Sequence, residues 1–454
     1  MITPEEMRRL EMNAAFYGIS EETLMELAGK GLAYEILKRR SEIRNAILIA
    51  GSGNNAGDGV VALRYLLPYV DSAEIYLIGS PKSELLKKQL SIAERLGIPI
   101  IKDRYGRKAI ERLRRLSEYD VLLEGLFGTG LKGSIGEPYV SIIRAMNSSR
   151  AYKVAIDVPA GDDKVMFEAD LTVSFHDVKS VVQGELAIVD IGLVPFTKLT
   201  GPGDVRLAYK PRKPDAHKGY HGIVSVIAGG RRYVGAAVLA ALGAMTLADL
   251  VFILTPTGDP KEFRMYPEII AERLEEGLDL LKKSHAIVVG PGLDEDALPR
   301  VLEILNSEVP EKPKVVDATA LRPEFVESLS GVKVLTPHAG EIRRLGFEPT
   351  PEGASMAAVK YDSIVLLKGR VDYITDGKRF LKNPFGKPSM TVGGTGDVLS
   401  GLVAGFIARG AEAFRAAAAA AFLNAYASER MPVEGLKPSK LVEEITLLLN
   451  EIVS

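Results

Sequence analysis

Ala46-Ile47-Leu48-Ile49-Ala50 runs directly into Gly51-Ser52-Gly53-Asn54-Asn55-Ala56-Gly57-Asp58-Gly59, and a helix-compatible segment follows from Val60. A short, unbroken apolar run is what a strand covered on both faces requires, and the Gly/Asn/Asp cluster behind it predicts a tight turn. Two amphipathic stretches, 5–17 and 21–39, precede the run and predict helices. Similar apolar runs recur at 74–78, 98–101, 121–123, 154–156 and 171–175, with helix-length segments between the earlier ones. Strands alternating with helices predict an α/β fold built on a doubly wound parallel sheet.

The pattern breaks into a turn-rich stretch holding Pro195, Pro202, Pro211 and Pro214, after which a second series begins. Its expected strands are 223–228, 251–254, 286–289, 315–316, 332–335 and 364–367, closed by alanine-rich helices at 395–409 and 411–430. No repeat relates the halves, so two different α/β domains are expected, 1–210 and 211–454.

Composition narrows the function. The 57 Lys and Arg against 59 Asp and Glu leave a net charge of −2 over 454 residues, which gives no electrostatic case for nucleic acid or an anionic membrane as partner. Cysteine is absent and His numbers five, which removes disulfides, thiolate chemistry and thiolate metal sites. The acidic start, Met1-Ile2-Thr3-Pro4-Glu5-Glu6, and the absence of any apolar run of membrane-spanning length predict a cytoplasmic protein. The scarcity of Gln (only Gln89 and Gln183) and the abundance of charge point to a hot-growing source.

In an open parallel sheet, loops leaving the carboxyl ends of strands face the ligand crevice. The turn at 51–59 is one such loop, where backbone amides and a helix start can hold phosphate; Asn55 and Asp58 offer oxygens for a hard cation or hydroxyls. Taken alone it also fits an ordinary capped turn. Two more such loops are Glu124-Gly125-Leu126-Phe127-Gly128-Thr129-Gly130-Leu131 and Asp157-Val158-Pro159-Ala160-Gly161. Asp157 is the acid/base candidate, with a turn-capping role as its other reading and Glu124 as its rival.

Together with Leu24-Met25-Glu26-Leu27-Ala28-Gly29, these motifs resemble the NAD(P)H-hydrate epimerase family, whose fold is Rossmann-like. The resemblance implies that Asn54, Asn55, Ala56, Gly57 and Asp58, together with Gly128, Thr129, Gly130, Leu131, Lys132, Gly133 and Ser134, touch a hydrated nicotinamide nucleotide. Tyr139 is a further contact, and Asp157 does the acid/base work. It also implies a potassium ion near Asn55, Glu124 and Ala160. Ala56 stands where the family usually has Gly, Glu124 where it has Asp, and Ala160 where it has Ser.

In the second half, Gly393-Gly394-Thr395-Gly396-Asp397 precedes a helix. Successive glycine amides and a helix dipole suit an oxyanion, and Asp397 is placed to take a proton from a hydroxyl, a combination fit for phosphoryl transfer to an alcohol. The same segment also fits a plain glycine-rich helix start with an acidic first turn. Gly290-Pro291-Gly292, Thr336-Pro337-His338-Ala339-Gly340-Glu341 and Leu367-Lys368-Gly369 each follow an expected strand. With Lys218-Gly219, Gly222 and Tyr233, they resemble the ADP/ATP-dependent NAD(P)H-hydrate dehydratase family, of ribokinase-like fold, over nearly all of 211–454.

That resemblance implies that Gly292 and His338 contact the hydrated nucleotide and that Asp397 is the base. The adenine nucleotide, ADP or ATP with Mg2+, would meet Lys368, Gly369, Arg370, Val371 and Asp372. It would also meet Lys387, Pro388, Ser389, Met390, Thr391, Val392, Gly393, Gly394, Thr395 and Gly396. Departures are Gly230 for Ser, Thr319 for Asp, and Arg370-Val371 within a run of small residues. Hydrated NADH and NADPH are the implied substrates, and a homo-oligomer is expected. Two other functions share these features: a ribokinase-like small-molecule kinase, and a fusion whose first half only binds or assembles.

Overall fold

A computed structural model describes residues 1–128, 133–179, 181–263 and 266–454. Its two compact units are Met1–Pro195 and Phe196–Ser454. The first comprises α1 (Pro4–Phe16), α2 (Glu21–Arg39), β1 (Ile43–Ala50), α3 (Asn54–Leu66), β2 (Val70–Leu77), α4 (Glu84–Arg95), β3 (Ile100–Lys102), α5 (Arg107–Leu113), β4 (Val121–Gly125), α6 (Tyr139–Asn147), β5 (Tyr152–Ile156), β6 (Leu171–Phe175) and β7 (Glu185–Val189). Local chemistry sets the helix starts. Thr3 accepts the Glu6 amide ahead of Pro4, and Ser20 accepts the Thr23 amide ahead of Glu21 and Glu22.

The sheet order is β3-β2-β1-β4-β5-β6-β7 with every pairing parallel. Residues 46–50 of β1 and all of β4 and β6 are buried, as strands covered on both faces are. β1 pairs with β2 on one side and β4 on the other, so the connections diverge there. That switch point opens a crevice at the carboxyl ends, between the loops after β1 and β4.

The second unit comprises α7 (Pro202–Ala208), β8 (Ile223–Ile227), α8 (Val234–Met245), β9 (Leu250–Thr255), β10 (Ile270–Arg273), α9 (Leu278–Lys283), β11 (Ala286–Val289), α10 (Leu298–Glu308), β12 (Lys314–Val316), α11 (Pro323–Ser328), β13 (Lys333–Leu335), α12 (Ala339–Arg344), α13 (Pro351–Lys360), β14 (Ile364–Leu367), β15 (Asp372–Thr375), β16 (Phe380–Asn383), α14 (Thr395–Ala408), α15 (Ala413–Glu429) and α16 (Pro438–Val453). The order β10-β9-β8-β11-β12-β13-β14-β15-β16 is parallel as far as β14, and β15 and β16 add an antiparallel margin. Alanine and glycine on α8, α14 and α15 let these helices pack closely; nearly all of α15 is buried.

The division at Pro195 and Phe196 differs from the expected boundary near 210. Within residues 196–210, Phe196 and Val205 are buried, α7 packs on α15, and Thr200 donates to the Asn383 side chain at 2.8 Å. Among the described residues no helix is long and apolar enough to cross a membrane.

Candidate functional site

In the first unit the crevice is a cavity of about 540 Å³ whose lining includes Glu11, Ser52, Gly53, Asn54, Asn55, Asp58, Leu126, Phe127, Gly128 and Asp157. The loops are locked together by close backbone approach. A Cβ on Gly51 would lie 2.0 Å from the Leu126 carbonyl oxygen, so only glycine lets the turn after β1 meet the loop after β4. Asn55 donates from Nδ2 to the Phe127 carbonyl at 2.7 Å, and Tyr139 packs its ring against Phe127 at 4.8 Å between centroids. The structure therefore brings Asn54, Asn55, Asp58, Gly128 and Asp157 to one cavity. Ala56 and Gly57, expected in the same group, turn into packing instead. Ala56 is fully buried and Gly57 lies against Met25 of α2. Thr129, Gly130, Leu131 and Lys132 lie outside the described residues, and Gly133 and Ser134 are exposed.

Asp157 leaves β5 in the left-handed region, φ 63°, a conformation that Asp tolerates better than most residues and that turns its side chain off the strand. Its Oδ1 accepts the Phe175 amide at 3.1 Å and pairs with the Lys179 ammonium at 2.9 Å. Lys179 is only 3% exposed and also donates to the Phe175 carbonyl at 2.6 Å, so the pair is fixed. The Oδ2 atom has no hydrogen-bond partner among the described residues. Lys179 was not singled out from the sequence; it sits in an irregular stretch after β6 with no motif around it.

Glu124 is fully buried and does not line the cavity. Its Oε1 accepts the Leu126 amide at 2.7 Å and its Oε2 the Ala160 amide at 2.9 Å, bracing the loops after β4 and β5. Burial nevertheless pushes its carboxyl up to about 7. Of the expected potassium ligands, Ala160 has no side-chain oxygen, each Glu124 oxygen accepts one backbone amide, and Asn55 gives its Nδ2 to Phe127, which leaves its Oδ1 facing no described partner. No cluster of three or more His, Asp or Glu suited to a metal occurs among the described residues.

In the second unit the loops after β11, β12, β13 and β14 converge on the amino end of α14. A Cβ on Gly290 would stand 1.8 Å from the Asp317 carbonyl oxygen, so glycine is required for these two loops to meet. Lys368 pairs with Asp317 at 2.8 Å and approaches Glu341 at 3.9 Å, and its charge also acts on Asp397. Burial, reinforced by Asp317 and Glu341, pushes Asp397 up to about 7, with Lys368 opposing. Burial also raises Glu341. The Asp397 carboxylate makes no hydrogen bond to a described residue. Asp317 escaped the sequence reading, although the strand-end rule that selected Asp157 applies equally to it.

Other expected contacts resolve unevenly. His338 caps α12, its Nδ1 accepting the Gly340 amide at 2.9 Å and the Glu341 amide at 3.2 Å, while 57% of its side chain remains exposed. Gly292 lies with φ 64° against Tyr233. Asp372 closes the turn between β14 and β15 by accepting Gly369 N–H and Asn383 Nδ2, and Arg370 is exposed in that turn. Lys387 directs its ammonium to the Met431 carbonyl at 2.8 Å. The stretch from Pro388 through Met390 to Gly394 is largely exposed above α14, anchored by Thr395 Oγ1 on the Met390 carbonyl at 2.8 Å; Ser389 is buried, and Gly396 approaches the Lys368 ammonium.

A parallel sheet with its switch-point cavity, joined to a mixed sheet whose strand ends gather a carboxylate, an ammonium and a helix start, defines an α/β enzyme class acting on nucleotides and phosphoryl groups. Residues 224–447 match the NAD(P)H-hydrate dehydratase family, and residues 21–181 match the family described as YjeF-related protein N-terminus. The bifunctional NAD(P)H-hydrate repair enzyme Nnr of Archaeoglobus fulgidus is 39% identical over 454 residues, covering 94% of this chain and 93% of the relative. The protein of the same name from Pyrobaculum aerophilum is 35% identical, covering 98% and 97%. The chain belongs to the bifunctional NAD(P)H-hydrate repair enzyme family. Among solved structures, a hypothetical protein from Streptococcus mutans is 26% identical with a TM-score of 0.51, covering 56% of this chain and 100% of that one. The Bacillus subtilis ADP/ATP-dependent NAD(P)H-hydrate dehydratase, co-crystallised with ATP and Mg2+, shares the fold at 24% identity and a TM-score of 0.50, covering 56% and 98%.

Proposed function

We propose that the chain repairs hydrated NADH and NADPH: the first unit interconverts the R and S epimers, and the second dehydrates the S epimer at the expense of ADP or ATP. The observation that carries the dehydratase is Asp397, an unpartnered carboxylate at the start of α14 held at about 7, where a general base works best near neutral pH. Asp397 takes the proton of the substrate hydroxyl as its oxygen attacks the terminal phosphoryl group. The O–P bond forms, the bond to the departing nucleotide breaks, and amides of Gly393, Gly394 and Thr395 face the phosphate charge. The ring nitrogen lone pair then expels phosphate, and loss of a ring proton restores the reduced nicotinamide.

Three carboxylates, Asp317, Glu341 and Asp397, lie about the Lys368 ammonium and leave a surplus of negative charge there, which would favour Mg2+ carried in by phosphates although the carboxylates alone do not form a metal site. Asp317 and Glu341 are the donors at hand, and the ion would neutralise charge on the phosphoryl oxygens. For the epimerase, the Lys179-paired Asp157 carboxylate with its open Oδ2 supports a proton-transfer role. Family membership over the full length favours this reading over the kinase and the binding module.

The test separates repair from simple phosphorylation: incubate the protein with hydrated NADH and ADP or ATP, and measure free phosphate beside the product. Repair releases one phosphate per reduced nicotinamide formed. A stable phosphorylated product with no gain in nicotinamide absorbance refutes it.

A further inference from the structure

Asp157 does not face the cavity as its only carboxyl. Glu11 of α1 lines the same space from a separate element, makes no hydrogen bond to any described residue, and belongs to no motif that marked the site in the sequence. Resting on the epimerase reading, we propose that Glu11 is the acid of epimerisation, delivering a proton to the substrate hydroxyl while Asp157 receives one from water.

The chemistry requires two such groups. Hydration of an enamine puts the hydroxyl on the carbon bonded to the ring nitrogen, whose lone pair can expel it once the oxygen is protonated. The Glu11 carboxyl gives its proton to the hydroxyl oxygen, the C–O bond breaks, and a C=N+ bond forms. Water then adds to the other face of the flat carbon, a new C–O bond forms, and the Asp157 carboxylate takes the water proton. One proton is given and one is taken, and no oxidant or further reactant is needed. Run backwards, protonated Asp157 is the acid and ionised Glu11 the base, so both directions use the same pair on different walls of one cavity.

The surroundings set the protonation states this scheme needs. Burial first, then the charges of Asp157 and Glu21, push Glu11 up to about 7, with Lys179 and Arg8 opposing. Asp58, on α3, adds a further carboxyl that interacts with Glu11 and is itself raised by burial. Asp157 instead has the Lys179 ammonium in direct contact. One carboxyl near neutrality beside one that is ion-paired is the separation of roles that acid/base pairs in enzymes show.

The test uses the full chain. Glu11→Gln is expected to slow epimer interconversion by about 10² to 10⁴ while dehydration of the S epimer continues at the wild-type rate, which also reports that the protein is folded. The wild-type interconversion rate should fall above about pH 7 as Glu11 loses its proton. Glu11→Asp should recover part of the rate with a displaced alkaline limb, which a merely structural role would not produce. Wild-type interconversion in Glu11→Gln, or loss of rate with an unchanged pH profile in Glu11→Asp, overturns the assignment of Glu11. An absence of interconversion in the unmodified protein overturns the epimerase reading itself.

Discussion

Replacing Asp397 by Asn should remove dehydration and, in the nucleotide-free protein, raise stability. Asp397 moves from its usual 3.8 to about 7, a difference of about 4 kcal/mol against the ionised form, since each pH unit is worth about 1.4 kcal/mol. A carboxyl whose pKa is higher in the folded state favours folding fully below the unfolded value and loses that advantage as pH rises through the folded value. The wild-type penalty is therefore complete above about pH 7 and fades toward pH 4. Asn carries no charge, so at pH 8 the variant should melt higher by roughly 5 to 10 °C for a unit of this size, and the gap should close as pH falls to about 4. Activity should move the other way, with a loss of about 10² to 10⁴. The assay is thermal unfolding without nucleotide at a series of pH values, beside kcat/KM for the S epimer. Equal melting temperatures across pH, or near-normal turnover, would refute the placement of a strained, buried base at Asp397.

Further outcomes follow from the same geometry. Lys368→Met should raise the acid limb of kcat/KM and Asp317→Asn should lower it, because Lys368 holds Asp397 down and Asp317 pushes it up; limbs that stay fixed count against the cluster. Epimer interconversion should change less than about twofold when potassium is replaced by sodium, since Glu124 and Ala160 stand at two of the expected ligand positions; Glu124→Ala should destabilise by about 1 to 3 kcal/mol for each amide left unpaired, read by denaturant unfolding. Asp157→Ala and Lys179→Met should each stop interconversion and spare dehydration, measured on one purified epimer. A fragment beginning at Phe196 should unfold cooperatively, whereas one beginning at residue 211 should lose roughly 1.5 to 3 kcal/mol from Val205 of α7 alone; equal stability would favour the later boundary.

The central strands were legible because burial on both faces favours short, mostly apolar runs: 171–175, 286–289 and 364–367 coincide with β6, β11 and β14. The strands that escaped, β7, β10, β15 and β16, lie at or beside sheet margins, where incompletely buried positions admit Glu185, Glu272, Asp372 and Lys382 and dilute the signal. Site residues followed the same logic. Asp157 and Asn55 follow strand ends and Asp397 follows a glycine-rich helix start, so the three could be picked out. Glu11 reaches the cavity from a helix and Lys179 reaches Asp157 from an irregular stretch, so only the tertiary fold reveals them. The expected boundary near 210 followed the prolines, while the two compact units meet at Pro195 and Phe196.

The central claim, that one chain carries both steps, is tested most directly by total recovery. The protein is given a mixture of R and S hydrates of NADH with excess ADP or ATP, and absorbance of reduced nicotinamide is followed to its end point. The account predicts that all of the hydrate returns as NADH, and that the Asp157→Ala variant stops at the S fraction. Arrest of the unmodified protein at the S fraction, or no recovery with either nucleotide, contradicts it.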